Sequence, residues 1–246
     1  MARLALITGV AGGIGRATAA AFSGAGWRVI GLDVAPPAAL EGMADYHQVD
    51  LGDAEALAAV CAAIKRKYQG LDGLVNLAAH QVCASVAATS LAEWDMVQAV
   101  NVRAPFLLVQ AMLPLLCASR GSIVNISSVH AVATSSDIAA YATSKGALVA
   151  LTRALAVELA AQGVRVNAVL PGAVDTPMLR AGLQRAHPDA ADPTAALLRN
   201  LPLGRIGQPA EIAQAILFLA DNEKSSYMTG QTLTIDGGAT ARLCTE

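Results

Sequence analysis

The 246-residue sequence predicts a single-domain α/β protein in which a doubly wound parallel sheet of about seven strands carries helices on both faces. Two observations support this prediction. Apolar runs of four to seven residues alternate along the chain with longer segments in which apolar residues recur at helical spacing. The runs lack the polar alternation of half-exposed strands, and continuous apolar strands are typical of parallel sheets that are covered on both faces.

Each predicted element follows from this alternation. Strands are predicted at residues 4–7, 29–32, 74–77, 123–126, 164–170 and 232–235. Helices are predicted at residues 14–24, 54–68, 91–119, 138–162 and 209–221, the last of which opens with Pro-Ala-Glu, a favourable helix start. Residues 177–207 depart from the pattern because they are rich in Ala, Arg and Pro, and we predict that they form a lid over the substrate. Residues 1–246 are therefore expected to form one domain.

The composition excludes several classes of protein. Hydrophobic residues make up 54% of the chain and charged residues 15%, with a mean hydropathy of +0.48, so the chain is not intrinsically disordered. The net charge is −2 and no basic run is present, so we expect no nucleic-acid or membrane partner. The apolar stretch at residues 99–118 is interrupted by Asn101, Arg103 and two prolines, and the N-terminus lacks a signal-peptide pattern. We therefore expect a cytoplasmic protein without a membrane span.

The spacing of the cysteines argues against a metal site. Cys61, Cys83, Cys117 and Cys244 form no Cys-x-x-Cys pair, and no histidine lies at metal-ligand spacing from them. We expect reduced thiols and no bound metal, with only Cys83 near a pocket.

A glycine-rich turn connects the first predicted strand to the first predicted helix. It has the sequence Thr8-Gly9-Val10-Ala11-Gly12-Gly13-Ile14-Gly15. Glycines at such a turn let the backbone approach a pyrophosphate, which is stabilised by the positive N-terminal end of the helix. A glycine-rich turn alone is also compatible with a merely flexible connection.

Asp33 ends the second predicted strand. A carboxylate at this place accepts hydrogen bonds from the adenosine ribose hydroxyls and repels a 2′-phosphate, so it favours NAD over NADP. Val34 and Gly12 occupy the positions where a basic residue would favour NADP. The alternative interpretation is an aspartate that caps a turn or a helix.

Tyr141 and Lys145 are four residues apart within a predicted helix, so they project from the same face. A nearby ammonium stabilises a phenolate and lowers the pKa of tyrosine from its usual value of about 10, which prepares the phenol to deprotonate an alcohol. Ser127 and Ser128 follow the predicted strand at 123–126, at the edge where doubly wound sheets bind ligands. Without this context, a Tyr-Lys pair on a solvated helix would be the simpler interpretation.

From Thr8 to Gly238 the chain resembles the single-domain branch of the short-chain dehydrogenase/reductase family. Besides the glycine turn, the resemblance rests on Asp33, Asp50-Leu51, Asn76-x-Ala78, Asn101, Ser128, Tyr141-x-x-x-Lys145, Asn167, Pro171-Gly172, Thr176 and Asp236-Gly237-Gly238. The chain departs from the family pattern at Leu77 and Ala79, where the family usually has Asn and Gly. The resemblance implies a Rossmann-type domain that binds NAD and transfers a hydride between the nicotinamide and a substrate.

The resemblance also assigns roles to single residues. Ser128 would bind the substrate oxygen, Tyr141 would be the general acid and base, and Lys145 would bind the nicotinamide ribose and lower the Tyr141 pKa. Asn101 would kink its helix and hold a water that connects Lys145 with solvent. The cofactor-binding residues would be Gly9, Gly12, Gly13, Ile14, Gly15, Asp33, Val34, Asp50, Leu51, Asn76, Ala78, Tyr141, Lys145, Pro171, Gly172, Val174 and Thr176.

Residues that bind the substrate are expected on the loops at the same edge of the sheet. The candidates are His80, Ser128, His130 and Met178. The two histidines follow neighbouring strands and would face one pocket, or else they are loop residues whose rings bind backbone or water. Three arginines of the predicted lid would bind an anionic substrate or, alternatively, form a charged surface; they are Arg180, Arg185 and Arg199.

These residues predict an NAD(H)-dependent oxidoreductase for a secondary alcohol or ketone, such as a sugar, polyol, dihydrodiol, hydroxy acid or alicyclic alcohol. Alternatives are a 3-oxoacyl-carrier-protein reductase, a non-catalytic dinucleotide sensor, and an epimerase or dehydratase of the longer family branch. Ala-rich helices and the resemblance further imply a homotetramer. The helices at 148–161 and 91–119 are expected in one interface and the C-terminal segment in another.

Overall fold

The computed structural model describes residues 2–37, 43–186 and 193–242. These residues form a seven-stranded parallel sheet in the order β3-β2-β1-β4-β5-β6-β7, which confirms the predicted fold class. The strands are β1 Leu4–Thr8, β2 Arg28–Asp33, β3 Met43–Gln48, β4 Gly73–Asn76, β5 Ser122–Ile126, β6 Arg165–Pro171 and β7 Thr232–Ile235. Cys244 and part of the predicted lid, residues 187–192, lie outside the described residues.

Helices of the described residues cover both faces of this sheet. They are α1 Gly13–Gly24, α2 Ala54–Lys67, α3 Leu91–Gln98, α4 Ala104–Ser119, α5 Ala139–Leu159, α6 Pro177–Ala186, α7 Thr194–Leu198, α8 Pro209–Ala220 and α9 Asn222–Ser225. The helix predicted at 91–119 is interrupted, because a π-helical turn at Ala99–Arg103 separates α3 from α4. Such turns recur at functional sites.

The core consists of two apolar clusters on opposite faces of the sheet, and β1 contributes to both. Leu4 and Leu6 point to the face covered by α2, α4 and α5, while Ala5 and Ile7 point to the face covered by α1 and α8. All five residues of β1 are buried. Complete burial explains why the strand is apolar throughout, since side chains on each face contact a helix layer.

One described helical stretch, Leu91–Ser119, is long and apolar enough by length and composition to cross a membrane. In the folded chain, however, Leu108 and Met112 of α4 are completely buried in the core. We therefore interpret the stretch as a core helix, which explains its hydropathy without a membrane.

The strand order places a ligand crevice at the carboxyl edge of the sheet. The chain runs from β1 to β2 on one side, and β4 continues to β5 on the other, so the helices after β1 and β4 lie on opposite faces. The gap between these two strand ends is the usual ligand site of a doubly wound sheet. The glycine turn, Asp33, Ser128 and the lid segment all leave strands at this edge.

Candidate active site

At Gly9 the glycine turn lies so close to the residues after β4 that a side chain is excluded from this position. Gly9 has a φ of +67°, and a Cβ on it would lie 2.8 Å from the Cα of Ala78. The Thr8 hydroxyl accepts hydrogen bonds from the N–H groups of Leu77 (2.9 Å) and Ala78 (3.0 Å). Thr8 and Gly9 thereby hold the ends of β1 and β4 together, on either side of the crevice.

The N-terminus of α1 opens onto the crevice without a side-chain cap. Gly12 is the N-cap and makes no side-chain hydrogen bond, and no acidic residue lies in the first turn. A Cβ on Gly13 would lie 2.9 Å from Cγ2 of Thr176, so Thr176 borders the same turn. An uncapped, positive helix end with close backbone approach fits the pyrophosphate of a dinucleotide, and Gly12, Gly13, Ile14 and Gly15 would hold it.

The carboxylate of Asp33 is fixed next to this turn. Its two oxygens accept hydrogen bonds from the main-chain N–H groups of Ala11 (2.8 Å) and Ala35 (3.0 Å). The following residue, Val34, is 66% exposed. Asp33 is therefore oriented by the backbone at the strand end where sequence analysis places the adenosine ribose.

Arg16 is a basic residue beside the turn that sequence analysis did not consider. It is exposed, and its Nε donates a 2.8 Å hydrogen bond to the carbonyl of Ala11. Its position in the first turn of a helix gives no sequence signal for this contact, since a helix-surface arginine usually extends into solvent. The turn thus has a carboxylate on one main-chain group of Ala11 and a guanidinium on the other.

Other residues predicted to bind the cofactor are placed in different environments. Asp50 is exposed and accepts from the N–H of Gly52, whereas Leu51 is buried in the core. The side chain of Asn76 donates to the Asn125 side chain (2.8 Å), so it braces the centre of the sheet. The remaining predicted residues lie at the last position of β6 or in the segment that follows it. They are Pro171, Gly172, Val174 and Thr176.

Ser128, Tyr141 and Lys145 are brought together where β5 meets α5. The Ser127 hydroxyl donates to the carbonyl of Lys145 (2.8 Å) and so fixes the strand end to the helix. Tyr141 is 7% exposed and Lys145 is 1% exposed. The Lys145 ammonium nitrogen donates to the carbonyl of Ile126 (2.8 Å) and lies 5.4 Å from the centre of the Tyr141 ring.

Burial controls the titration of both side chains. Burial raises the pKa of Tyr141 to about 12, a hydrogen bond with Ser128 opposes this shift, and Cys83 adds to it. Burial lowers the pKa of Lys145 to about 7. Desolvation disfavours the charged form of each partner, and the lowering of the Tyr141 pKa by Lys145 stays a prediction.

Asn101 lies in the π-helical turn and binds the loop that follows β4. Its side-chain oxygen accepts from the N–H of His80 (2.7 Å), and its side-chain nitrogen donates to the His80 carbonyl (2.9 Å) and to the Ser144 hydroxyl (2.9 Å). Asn101 is 1% exposed. It therefore positions the loop at His80 relative to α5. Tyr141 lies on the same helix, three residues before Ser144.

On the substrate side, His130 contacts Tyr141 whereas His80 does not. The His130 ring packs edge-on against the Tyr141 ring with centroids 6.0 Å apart, and its Nδ1 lies 3.1 Å from the Thr134 hydroxyl. Burial lowers the pKa of His130, so this ring is neutral at pH 7. His80 is exposed and Met178 is 41% exposed.

The predicted lid starts and ends at one point of the fold. Val174 and Gly207 form an isolated parallel bridge, and the Asp175 N–H donates to the Gly207 carbonyl (2.9 Å) while the Gly207 N–H donates to the Ala173 carbonyl (2.9 Å). The segment between them, with α6 and α7, leaves the carboxyl end of β6 and returns to it. Both ends of the segment are therefore anchored beside the crevice.

Comparison with known proteins agrees with this geometry. A family model described as Enoyl-(Acyl carrier protein) reductase matches residues 9–240. The 3-oxoacyl-[acyl-carrier-protein] reductase FabG of Thermotoga maritima is 38% identical over 246 residues, which cover 96% of this chain and 97% of the relative.

Solved structures match over nearly the whole chain. The aldohexose dehydrogenase of Thermoplasma acidophilum has a TM-score of 0.93 at 32% identity, covering 100% of this chain and 96% of the other. A protein of Beutenbergia cavernae, described as an NAD(P)-dependent gluconate 5-dehydrogenase with bound NADP at low occupancy, has a TM-score of 0.88 at 34% identity, covering 98% and 97%. The chain belongs to the short-chain dehydrogenase/reductase family and is a single-domain oxidoreductase of that family.

Proposed function

We propose that this chain is an NAD-dependent dehydrogenase that interconverts a secondary alcohol and a ketone. The observation that carries the proposal is the buried cluster of Ser128, Tyr141 and Lys145 at the carboxyl edge of the sheet, beside an uncapped helix N-terminus. The nicotinamide supplies the site that accepts or donates the hydride. The chain's own residues bind the substrate oxygen and move its proton.

Proton movement at the substrate oxygen is assigned to Tyr141. In the oxidation direction the phenolate form of Tyr141 takes the proton of the alcohol, and the Ser128 hydroxyl donates a hydrogen bond to the same oxygen. The protonated form of Lys145 stabilises that phenolate by charge, since its nitrogen lies 5.4 Å from the Tyr141 ring. The low exposure of all three side chains keeps bulk water from the reacting oxygen.

The preference for NAD is supported by Asp33. Its carboxylate is held by the Ala11 and Ala35 N–H groups and would meet a 2′-phosphate as a like charge. Arg16 adjoins the same turn and would partly offset that repulsion. The related Beutenbergia cavernae protein is described with bound NADP, so for this chain the preference for NAD is a proposal that rests on Asp33.

A second candidate is the reduction of a ketone carried on an acyl-carrier protein. The relative from Thermotoga maritima, named for that activity and 38% identical, favours it. Asp33 disfavours it, because such reductases are expected to use NADP. A non-catalytic dinucleotide sensor has less support, since a sensor has no need to bury a lysine 5.4 Å from a tyrosine ring.

The decisive experiment follows NADH formation with purified protein across a panel of secondary alcohols, sugars, polyols, hydroxy acids and cyclic diols. The same protein is assayed in reverse with a 3-oxoacyl thioester and NADPH. Turnover of at least one free alcohol with NAD, and a lower kcat/KM for the thioester, supports the proposal. Turnover confined to the thioester with NADPH identifies the second candidate instead, and binding of NADH without turnover of any compound identifies the sensor.

A further inference from the structure

An arginine of the predicted lid contacts Cys83, a residue that lies near Tyr141. The guanidinium of Arg185, on α6, donates to the Cys83 sulfur at 3.6 Å, and the two residues are 102 positions apart in the chain. Cys83, on the loop after β4, lies close enough to Tyr141 that its charge raises the pKa of that phenol. Cys83 therefore contacts Arg185 and also lies within electrostatic range of Tyr141.

Arg185 has no carboxylate partner within residues 2–37, 43–186 and 193–242. Two neighbouring cations in the same segment differ, since Arg180 pairs with Asp175 (2.8 Å) and Arg205 pairs with Glu211 (2.6 Å). Its contact on the pocket side is a thiol, which is a weak hydrogen-bond acceptor. A guanidinium with five donors is thus held at the pocket by an interaction far weaker than the one it makes with a carboxylate.

Within the described part of the chain, no charged side chain near the site is paired with this cation. Asp175, in the described part of the segment that carries Arg185, is bound by Arg180. His130 is kept neutral at pH 7 by burial and offers hydrogen bonds without a charge. Cys83 is exposed, so a small molecule can reach this thiol and the guanidinium beside it.

We infer that the substrate is a hydroxy acid, or the corresponding keto acid, whose carboxylate binds Arg185 while its secondary hydroxyl lies at Ser128 and Tyr141. The inference rests on the proposed dehydrogenase function and narrows its substrate class. A bidentate pair between guanidinium and carboxylate orients the molecule end to end, with the carbon that carries the hydroxyl beside Tyr141. Cys83 lies along the middle of the substrate and limits its width there.

The first test compares acids with their neutral esters. The probes are both enantiomers of 3-hydroxybutyrate and 4-hydroxypentanoate, each beside its methyl ester, assayed with NAD. We expect the wild-type KM for the preferred acid to be about tenfold or more below that for its ester, and Arg185→Gln to remove this preference. Arg185→Lys keeps the positive charge and restores part of the preference for the acid over its ester. Arg199→Gln is the matched control, because it removes a lid cation that makes no contact with Cys83 among the described residues, and it keeps the preference of the wild type.

The second test needs no turnover. Iodoacetate carries a carboxylate and iodoacetamide does not, and both alkylate thiols, so their rates at each cysteine are compared by peptide mass spectrometry. Because Arg185 lies 3.6 Å from the Cys83 sulfur, we expect the ratio of iodoacetate to iodoacetamide rates to be about tenfold higher at Cys83 than at the partly exposed Cys117. Arg185→Gln brings the two ratios together.

The outcomes distinguish failure of the hydroxy-acid inference from failure of the dehydrogenase proposal. Equal use of acids and esters, together with equal alkylation ratios at Cys83 and Cys117, overturns the hydroxy-acid inference and leaves the dehydrogenase proposal intact. If no alcohol in any panel reduces NAD, the dehydrogenase proposal fails, and the alkylation ratios still decide whether Arg185 attracts a carboxylate. An acid preference that survives Arg185→Gln also overturns the inference, because the anion then binds elsewhere.

Discussion

The Lys145 ammonium nitrogen lies 5.4 Å from the centre of the Tyr141 ring, and its hydrogen bond goes to the carbonyl of Ile126 rather than to the phenol. Lys145 is thus held by β5, whereas the Tyr141 hydroxyl has a hydrogen bond with Ser128. This division explains how two side chains on adjacent turns of α5 can differ in role. In the proposed mechanism Lys145 acts through charge and position, and Tyr141 touches the substrate oxygen.

Replacement of the phenol hydroxyl separates proton transfer from binding. In Tyr141→Phe the ring that packs against His130 is kept, so the site should stay folded. We expect kcat to fall by about 10²- to 10⁴-fold, which is the usual contribution of a general acid or base. NADH affinity, measured by fluorescence titration, should change little. Retention of the wild-type kcat would show that Tyr141 does not transfer the proton. Ser127→Ala is the control, because it removes a hydroxyl that donates to the Lys145 carbonyl. It should lower activity less than Tyr141→Phe does.

The depressed pKa of Lys145 should be visible in the stability of the protein. Lysine keeps its proton up to about pH 10.5 in the unfolded chain but only up to about pH 7 in the folded one. Between these values the unfolded state binds more protons, so the free energy of unfolding rises with pH. Below pH 7 Lys145 is protonated in both states, so it no longer changes the free energy of unfolding with pH. The folded state then carries the full cost of a buried ammonium.

Lys145→Met removes that titration while preserving much of the side-chain volume. We expect the variant to be more stable than the wild type at about pH 6, with a smaller difference at about pH 9, in denaturant unfolding without nucleotide. Tyr141 acts in the opposite sense at higher pH, because its raised pKa makes the folded state retain a proton that the unfolded state loses, so measurements stop below pH 10. A stability difference that is the same at both pH values contradicts the prediction.

The sequence predicts the sheet well because parallel strands in its centre are buried on both faces, and continuous burial leaves a continuous apolar run. It misses β3, Met43–Gln48, because this strand lies at the sheet edge and is only partly buried, so its composition is mixed. The break between α3 and α4 is likewise invisible in periodicity. It coincides with hydrogen bonds from Asn101 to His80 and Ser144, which depend on how distant segments meet.

The candidate site also combines residues whose positions the sequence predicts with contacts that it does not predict. Residues in the glycine turn and on α5 are positioned by a local pattern of turn and helix, so their neighbourhood follows from spacing. The contact of Arg185 with Cys83 joins α6 to the loop after β4, and the contact of Arg16 with Ala11 depends on a side-chain rotamer. Neither contact has a sequence signal, because each arises from tertiary placement or side-chain conformation.

Cofactor preference is tested by removing one charge from Asp33. Asp33→Asn keeps one side-chain oxygen to accept from Ala11 or Ala35 and removes the repulsion toward a 2′-phosphate. We expect the ratio of kcat/KM for NAD over NADP to fall by about tenfold or more, since like charges in contact cost several kcal/mol. Asp53→Asn is the matched control, because Asp53 also accepts two main-chain N–H groups, at the start of α2. An unchanged ratio in Asp33→Asn would show that Asp33 does not select the cofactor.

Exposed apolar side chains on α4 and α5 predict self-association. Phe106 is 46% exposed and Val157 is 82% exposed, and Phe106 lines a surface groove with Val102 and Leu151. The groove is also lined by Asp95, Gln98 and Arg103, and exposed apolar side chains with polar residues around them are typical of an interface. We expect light scattering to give the mass of a homotetramer at micromolar concentration.

The variant Val157→Asp tests which surface holds the assembly together. A carboxylate at the centre of an apolar interface is desolvated without a partner, so we expect a dimer or monomer with an unchanged circular dichroism spectrum. Val86→Asp changes a side chain of similar exposure, 79%, on the loop between β4 and α3 and should remain tetrameric. A monomeric wild type would refute the prediction, whereas a tetrameric Val157→Asp would show that subunits join through other surfaces. A candidate is the C-terminal segment, which the sequence predicts in a second interface and which contains the exposed Phe218 and Tyr227.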